Sequence, residues 1–220
     1  MPPDTAAVAR WCAARFLRYT SLGPQRFELS GRLRDREWRA QCQPSSWPYI
    51  EGLELRVRVD LGLPPAGRVV LMSAALRRLL EARADAFYRE TVQDVQTSVQ
   101  AVPEEVRWLS QLPEARWKGP DPRFWTRYSV LCDASDLARL WLDEEAQDTL
   151  LTGDDHVAAQ VPLVVMLQRG KCYLRLQVNP HAQQADAVLA LELLEQLSAR
   201  AMALAARSGV VDQAAFSSRG

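Results

Sequence analysis

The sequence predicts an α+β fold built on an antiparallel sheet packed by helices. Three observations carry that expectation. From Leu53 to Leu61, Leu53, Leu55, Val57, Val59 and Leu61 alternate with Glu54, Arg56, Arg58 and Asp60. Such period-2 alternation marks a strand with one face on a core and the other in water, as antiparallel sheets allow. Two further segments, Phe27 to Cys42 and Val161 to Val178, read as β-hairpins with charged tips at Arg34-Asp35-Arg36 and Arg169-Gly170-Lys171. Strands and helices are not in strict alternation, which argues against a doubly wound parallel sheet.

The elements follow in order. Asp4 can cap a first helix reaching about Tyr19, with Val8, Trp11, Cys12, Phe16 and Tyr19 on one face. Gly23-Pro24 breaks it. The first hairpin pairs Phe27, Leu29 and Leu33 with Trp38, Ala40 and Cys42, and the Pro44–Pro48 loop leads to the strand at Leu53. After Pro64-Pro65 and a short apolar run from Val69 to Met72, Ser73 can cap a long helix. Its stripe is Leu76, Leu80, Ala84, Phe87, Thr91 and Val95, with Asp85 and Arg89 in the favourable i,i+4 order. Pro103, Pro113, Pro120 and Pro122 punctuate a connection with one short helix around Glu104 to Leu112.

A strand near Tyr128 to Cys132 comes next, then two short helices holding Leu137, Leu140, Trp141 and Leu150, ended by Gly153. Behind the second hairpin, Asn179-Pro180 is an N-cap and first-turn pair that opens a helix to Ser208, with Gly209 as its stop. The expected order is α-βββ-α-(connection)-β-αα-ββ-α. It divides the chain into an N-terminal half (1–102), a proline-rich connection (103–122), a C-terminal half (123–209) and a frayed tail (210–220), the two halves packing together. With the middle insertion set aside, the order α-βββ-α-ββ-α resembles the chaperones of bacterial type III secretion systems and related small regulators. That is a resemblance of topology, carried by no residue motif.

Composition bounds the function. The chain has 220 residues, 48% of them hydrophobic and 25% charged, with 27 basic residues against 27 acidic ones. That is the make-up of a globular protein, and a zero net charge gives no whole-surface attraction to nucleic acid or an anionic membrane. Lys118 and Lys171 are the only lysines, an arginine bias expected of a GC-rich bacterial genome. No stretch approaches the apolar length of a membrane span. Arg10, Arg15 and Arg18 interrupt any secretory apolar region, and Trp11, Cys12 and Phe16 read as packing residues and not as part of a transit peptide. Cys12, Cys42, Cys132 and Cys172 each fall on the apolar side of their element, as buried reduced thiols do, which points to the cytoplasm.

Catalytic spacings are not assembled. Gly62 to Val69 (GLPPAGRV) has the spacing of a phosphate loop, but Arg68 and Val69 stand where Lys and Ser/Thr do the chemistry, and two prolines remove backbone donors. His156, beside Asp154 and Asp155, and His181 are the only histidines, and both read as solvated; no zinc spacing or nucleophile elbow is present. Glu104-Glu105 and Asp143-Glu144-Glu145 lie in helix first turns, where the macrodipole favours acids. No metal or other cofactor is expected.

The residues left over point to binding. Trp117, Phe124, Trp125 and Tyr128 cluster in sequence with Arg116, Lys118 and Arg123, and Trp47 lies off the core stripes as well. Aromatics with arginine anchor partner surfaces. Leu189, Leu193, Leu197, Met202 and Leu204 belong to an apolar face on the last helix wide enough for self-association. The expectation is a non-catalytic cytoplasmic binding protein, adaptor or chaperone-like, whose partners are another protein and itself, with no membrane. One alternative is a small-molecule binder or enzyme with a pocket between the halves. Another, disfavoured because Glu28, Asp35 and Glu37 are interleaved, is nucleic-acid binding through Arg32, Arg34, Arg36 and Arg39.

Overall fold

The computed structural model describes residues 6–64, 67–93, 104–152, 161–178 and 185–217. In chain order they form α1 (Ala6–Ala13), β1 (Arg18–Gly23), β2 (Arg26–Leu33), β3 (Arg36–Pro44), β4 (Leu53–Asp60), β5 (Val69–Ser73), α2 (Ala74–Gln93), α3 (Glu104–Gln111), α4 (Pro122–Arg127), β6 (Tyr128–Cys132), α5 (Ser135–Trp141), α6 (Glu144–Thr152), β7 (Leu163–Gln168), β8 (Lys171–Val178) and α7 (Ala185–Ser217). The class is α+β: one eight-stranded sheet, in the order β1-β2-β3-β4-β8-β7-β5-β6, with every neighbouring pair antiparallel.

The structure adds two strands and a helix to the expected order. The first helix stops at Ala13 and the chain re-enters as β1, so Phe16 leaves the packing face assigned to it and is 94% exposed. Leu17 and Tyr19 alternate inward, and Tyr19 packs 5.8 Å from Phe27 across the β1–β2 ladder. Strand pairing there satisfies backbone groups that a longer helix would have satisfied internally, and it outcompetes the helical periodicity. The Val69–Ser73 run is β5, buried at every position between β7 and β6. Asp121 caps α4 by accepting from the Arg123 N–H at 2.8 Å, with Pro122 in the first turn. With these additions the order no longer matches the one that resembled the secretion chaperones.

The last helix also differs from expectation. It continues through Gly209 to Ser217, about 50 Å of helix, so Gly209 does not stop it and residues 210–217 are helical. Elsewhere the expected signals operate: Ser73 Oγ accepts from the Leu76 N–H at 3.2 Å at the start of α2. The Asp4 and Asn179-Pro180 caps, Val95, Gly153, the Asp154-Asp155-His156 cluster and His181 lie outside the described residues, as do the side chains of Phe87, Arg89, Thr91, Glu104 and Glu105.

The larger core covers one face of the sheet. Trp38, Leu55, Val57, Leu71, Val130, Val165 and Leu174 meet α1, α4, α5, α6 and α7 there. Trp141, fully buried, donates its indole N–H to the Leu197 carbonyl at 2.9 Å and so ties α5 to α7. A second core occupies part of the other face, where Val70, Met72, Leu131, Val164 and Met166 pack under Leu76 and Leu80 of α2, Trp108 of α3 and Leu112 just after it. The β6 edge is closed by the chain itself: the Ala115 N–H donates to the Val130 carbonyl at 2.9 Å and the Cys132 N–H to the Pro113 carbonyl at 3.0 Å. The β1 edge lies at the other end of the sheet. Among the described residues no helix is long and apolar enough to cross a membrane.

Candidate functional site

On the side away from the larger core, β1 to β4 and β8 carry a polar face. Its rows follow from the registers. Glu28, Gln41, Arg56 and Arg175 form one row, running into the apolar Val164; Ser30, Arg39, Arg58 and Tyr173 form the next; Arg32, Glu37, Asp60 and Lys171 form a third. Gln43, Glu54 and Gln177 make a fourth row at the opposite end. With Arg18 and Arg26 on the same side, eight basic residues stand against the four acids Glu28, Glu37, Glu54 and Asp60. The face is locally electropositive on a chain of zero net charge.

Arginines oppose arginines within it. Arg39 is the cross-strand partner of Arg58, and Arg56 is the partner of Arg175 one row away. Like charges directly opposite on a sheet are destabilising, by the same few tenths to one kcal/mol that complementary pairs contribute. Neighbouring carboxylates relieve part of this: Arg39 pairs with Glu37 at 2.5 Å and Arg58 with Asp60 at 3.5 Å. Burial raises the Asp60 pKa, but the Gly62 N–H, the Lys171 ammonium and Arg58 together outweigh it and hold the carboxyl below its ordinary value. Arg39, with 70% of its side chain exposed, and Arg58, with 49%, still project into solvent.

The β3–β4 loop borders the other row. Trp47 receives the Arg175 guanidinium 3.9 Å over its ring and lies 5.8 Å from Tyr49. Its backbone N–H donates to Ser45 Oγ, which in turn donates to Glu54 Oε2 at 3.1 Å. Glu54, a solvent-facing residue by alternation, is only 1% exposed beneath this loop, 3.7 Å from Arg56 and 3.8 Å from Arg175.

The outer faces of β1 to β3 line an open concavity of about 1360 Å³ whose charges balance, Arg18, Arg32, Arg36 and Arg39 standing with Glu28, Asp35, Glu37 and Asp60, and Phe16 is among its lining residues. Of the four arginines of the first hairpin, Arg32, Arg36 and Arg39 border this concavity; Arg36 also donates to Met202 Sδ at 3.2 Å, and Arg34 reaches Glu195 at 3.7 Å, both partners being on α7.

The aromatic residues singled out in the sequence lie on the opposite side of the sheet, apart from Trp47. Phe124 is fully buried and Tyr128 is 2% exposed, its hydroxyl donating to the Leu150 carbonyl at 3.2 Å. Trp117 and Trp125 are half-buried and meet edge-to-face at 4.9 Å, with Arg116 5.9 Å over the Trp125 ring. Exposed Arg123 folds back on Asp121 at 2.8 Å. Tyr128 borders an apolar cavity of about 30 Å³ together with Leu163, Leu189 and Leu193, space on the scale of a water molecule. On α7, Leu193 and Leu197 are core residues, Met202 and Leu204 pack partly against the core, and half-buried Leu189 borders the small cavity.

All four cysteines are free and buried. Burial pushes the thiols of Cys12 and Cys42 up to about 11 and that of Cys172 to about 12. Among the described residues no three metal-ligating side chains group together.

The alternation in the sequence marks the members of the polar face from Glu28 onward as solvent-facing, but not Arg18, which it places in the first helix, and not the face itself. The signal is split between β4 and β8, more than a hundred residues apart, and only their adjacency makes Arg56 and Arg175 neighbours.

No family model matches the chain, and no curated protein matches it. A solved structure is similar in outline: the crystal structure of the mycobacterial trehalose monomycolate transport factor A, 9% identical, with 87% of this chain and 90% of that one covered and a TM-score of 0.44. At that identity and score the likeness supports no statement about function.

Proposed function

We propose that the chain is a non-catalytic binding protein that takes an acidic protein partner on the open, arginine-bearing face of its sheet. The observation that carries this reading is the pair of arginine–arginine oppositions, Arg39 with Arg58 and Arg56 with Arg175. Arg56 and Arg175 flank the buried Glu54 carboxylate, but nothing in the packing asks for arginine at Arg39 and Arg58, where a β-branched residue would pair at lower cost. Arginine is the residue enriched where protein partners meet. The interleaved Glu28, Glu37, Glu54 and Asp60 favour a partner with placed carboxylates over a uniform polyanion such as nucleic acid, which would meet those acids at every register. Four buried thiols with raised pKa values support a reducing compartment, the cytoplasm.

The test uses two defined probes, poly-L-glutamate and a single-stranded oligonucleotide of similar charge, measured by anisotropy at low and high salt. Polyglutamate is expected to bind more tightly than the oligonucleotide and to weaken with salt. In the Arg39→Thr/Arg58→Thr double variant its affinity should fall about tenfold, while the urea midpoint holds or rises. No binding of polyglutamate at low salt, or binding indifferent to the double variant, overturns the reading. Tighter binding of the oligonucleotide replaces it with nucleic-acid recognition.

A further inference from the structure

The sheet ends differently at its two edges. The β6 edge is closed by the chain itself, through the backbone of Pro113 and Ala115. The β1 edge is not: β1 is the terminal strand, and among the described residues no backbone group bonds to its outer side. A bare edge is a template for another strand, and proteins usually blunt it with lysine, proline or a bulge. β1 has neither lysine nor proline, and its bulge falls between Ser21 and Gly23, which leaves Arg18 to Ser21 regular. Tyr19 and Thr20, in the middle, are residue types that favour strands. Exposed apolar side chains flank this segment. Four large hydrophobic side chains are exposed among the described residues, and two of them, Phe16 (94%) and Leu22 (38%), stand at the two ends of β1.

We infer that β1 pairs antiparallel with β1 of a second copy of the chain, joining two sheets through a two-fold axis at Tyr19. A two-fold interface must be self-complementary, each contact occurring twice. β1 meets that condition, because its two exposed apolar residues lie three positions before and three positions after Tyr19. The axis brings Phe16 of each copy beside Leu22 of the other, so both apolar ends are covered together. It sets Arg18 opposite Thr20, and so keeps Arg18, the only charged residue of β1, from meeting itself. Such an axis is normal to the sheet, so both helical layers lie on one side and both arginine-bearing faces on the other. The inference does not depend on the acidic-partner reading. It also places self-association away from α7, where Leu193 and Leu197 are committed to the core.

The test is sedimentation velocity of the full chain over a concentration series, on wild type, Thr20→Glu, Thr20→Lys and the Phe16→Ser/Leu22→Ser double variant. Wild type is expected to form a reversible dimer of the weak class, since one strand pair buries little area. Thr20→Glu should tighten that dimer and Thr20→Lys weaken it, each about tenfold, because the axis applies every contact with Arg18 twice. Within one copy Thr20 faces Glu28, so folding responds in the opposite sense. The urea midpoint of dilute monomer should hold or rise for Thr20→Lys and hold or fall for Thr20→Glu. That inversion separates the interface from the fold. The double serine variant should weaken the dimer at an unchanged midpoint. A wild type that stays monomeric up to about 1 mM overturns the inference. A dimer unmoved by any one of the three variants overturns it too, as does one weakened by both charges at position 20.

Discussion

Arg56 and Arg175 stand directly opposite each other on β4 and β8, and the buried carboxylate of Glu54 lies within 3.8 Å of both guanidinium groups. The cluster therefore holds two positive charges and one negative charge at the boundary between the open face and the Trp47 loop. Neither ion pair is close enough for a hydrogen bond, so the attraction is charge on charge at contact distance. Glu54 is the member that the fold cannot spare.

Replacing Glu54 with Gln keeps the shape and the Ser45 hydrogen bond but leaves Arg56 facing Arg175 without a counter-charge. Removing one member of a buried ion group costs about 3–5 kcal/mol, and the partial exposure of both arginines reduces that here to about 1–3 kcal/mol. A fall of that size in urea-derived stability is expected for Glu54→Gln. Arg56→Thr in the same background should recover part of it, because the like-charge pair is then gone.

Glu114 links acid stability to the closed sheet edge. Burial pushes its carboxyl up, but the Arg77 hydrogen bond at 2.8 Å, the Arg77 charge and then Arg116 prevail and hold it below its ordinary value of 4.5. A depressed folded-state value means that the carboxylate stabilises the fold above the unfolded value, and that this contribution disappears as pH falls through the lower, folded value. Urea midpoints measured from neutral pH down to below 4.5 should decline, and Glu114→Gln should be less stable at neutral pH with a flatter decline over that range. An equally steep decline in the variant would assign acid sensitivity elsewhere.

The thiols offer a compact check on the core. Cys12 and Cys42 titrate near 11 and Cys172 near 12 because burial disfavours the thiolate, so at pH 8 these groups are neutral and shielded. A thiol reagent such as Ellman's should label the native protein slowly and all four cysteines promptly in denaturant. Fast labelling of any of the four in the native protein would contradict its burial.

Trp117 and Trp125 are expected to act on stability more than on binding. They meet at 4.9 Å against the larger core, with Phe124 another 4.9 Å from Trp125. Because Trp125 is half-buried, Trp125→Ala should cost about 2 kcal/mol, below the range for a fully buried tryptophan. Polyglutamate affinity should be unchanged, since this cluster and the arginine face lie on opposite sides of the sheet. Loss of binding with stability intact would move the interaction surface to the aromatic cluster.

Legibility varied with the range of the interaction responsible. The alternation in β4, the turn residues Arg34-Asp35 and Arg169-Gly170, and the Ser73 cap are set by contacts within a few residues, and each is found where the sequence places it. β1 was hidden because Val8, Trp11 and Cys12 begin a helical period that Phe16 and Tyr19 continue by coincidence. Only the ladder to β2 shows that Tyr19 belongs to a strand. β5 is apolar at nearly every position, so it carries no period to read. α4 did have a signal, the Asp121-Pro122 start, within a segment that otherwise reads as loop.

The sequence by itself determined the class of the fold, the inward and outward sets of most strands, the burial of the cysteines and the helices around α5 and α6, because these follow from local periodicity and turn chemistry. The tertiary structure alone decided which strands are neighbours. That choice carried β8 to β4 and opposed Arg56 to Arg175, folded the Trp47 loop over Glu54, sent Phe124 and Tyr128 into the core, and left Phe16 outside it. Periodicity records which way a side chain points; what it meets depends on strand pairing between distant segments, whose free energy comes from burying the whole sheet at once.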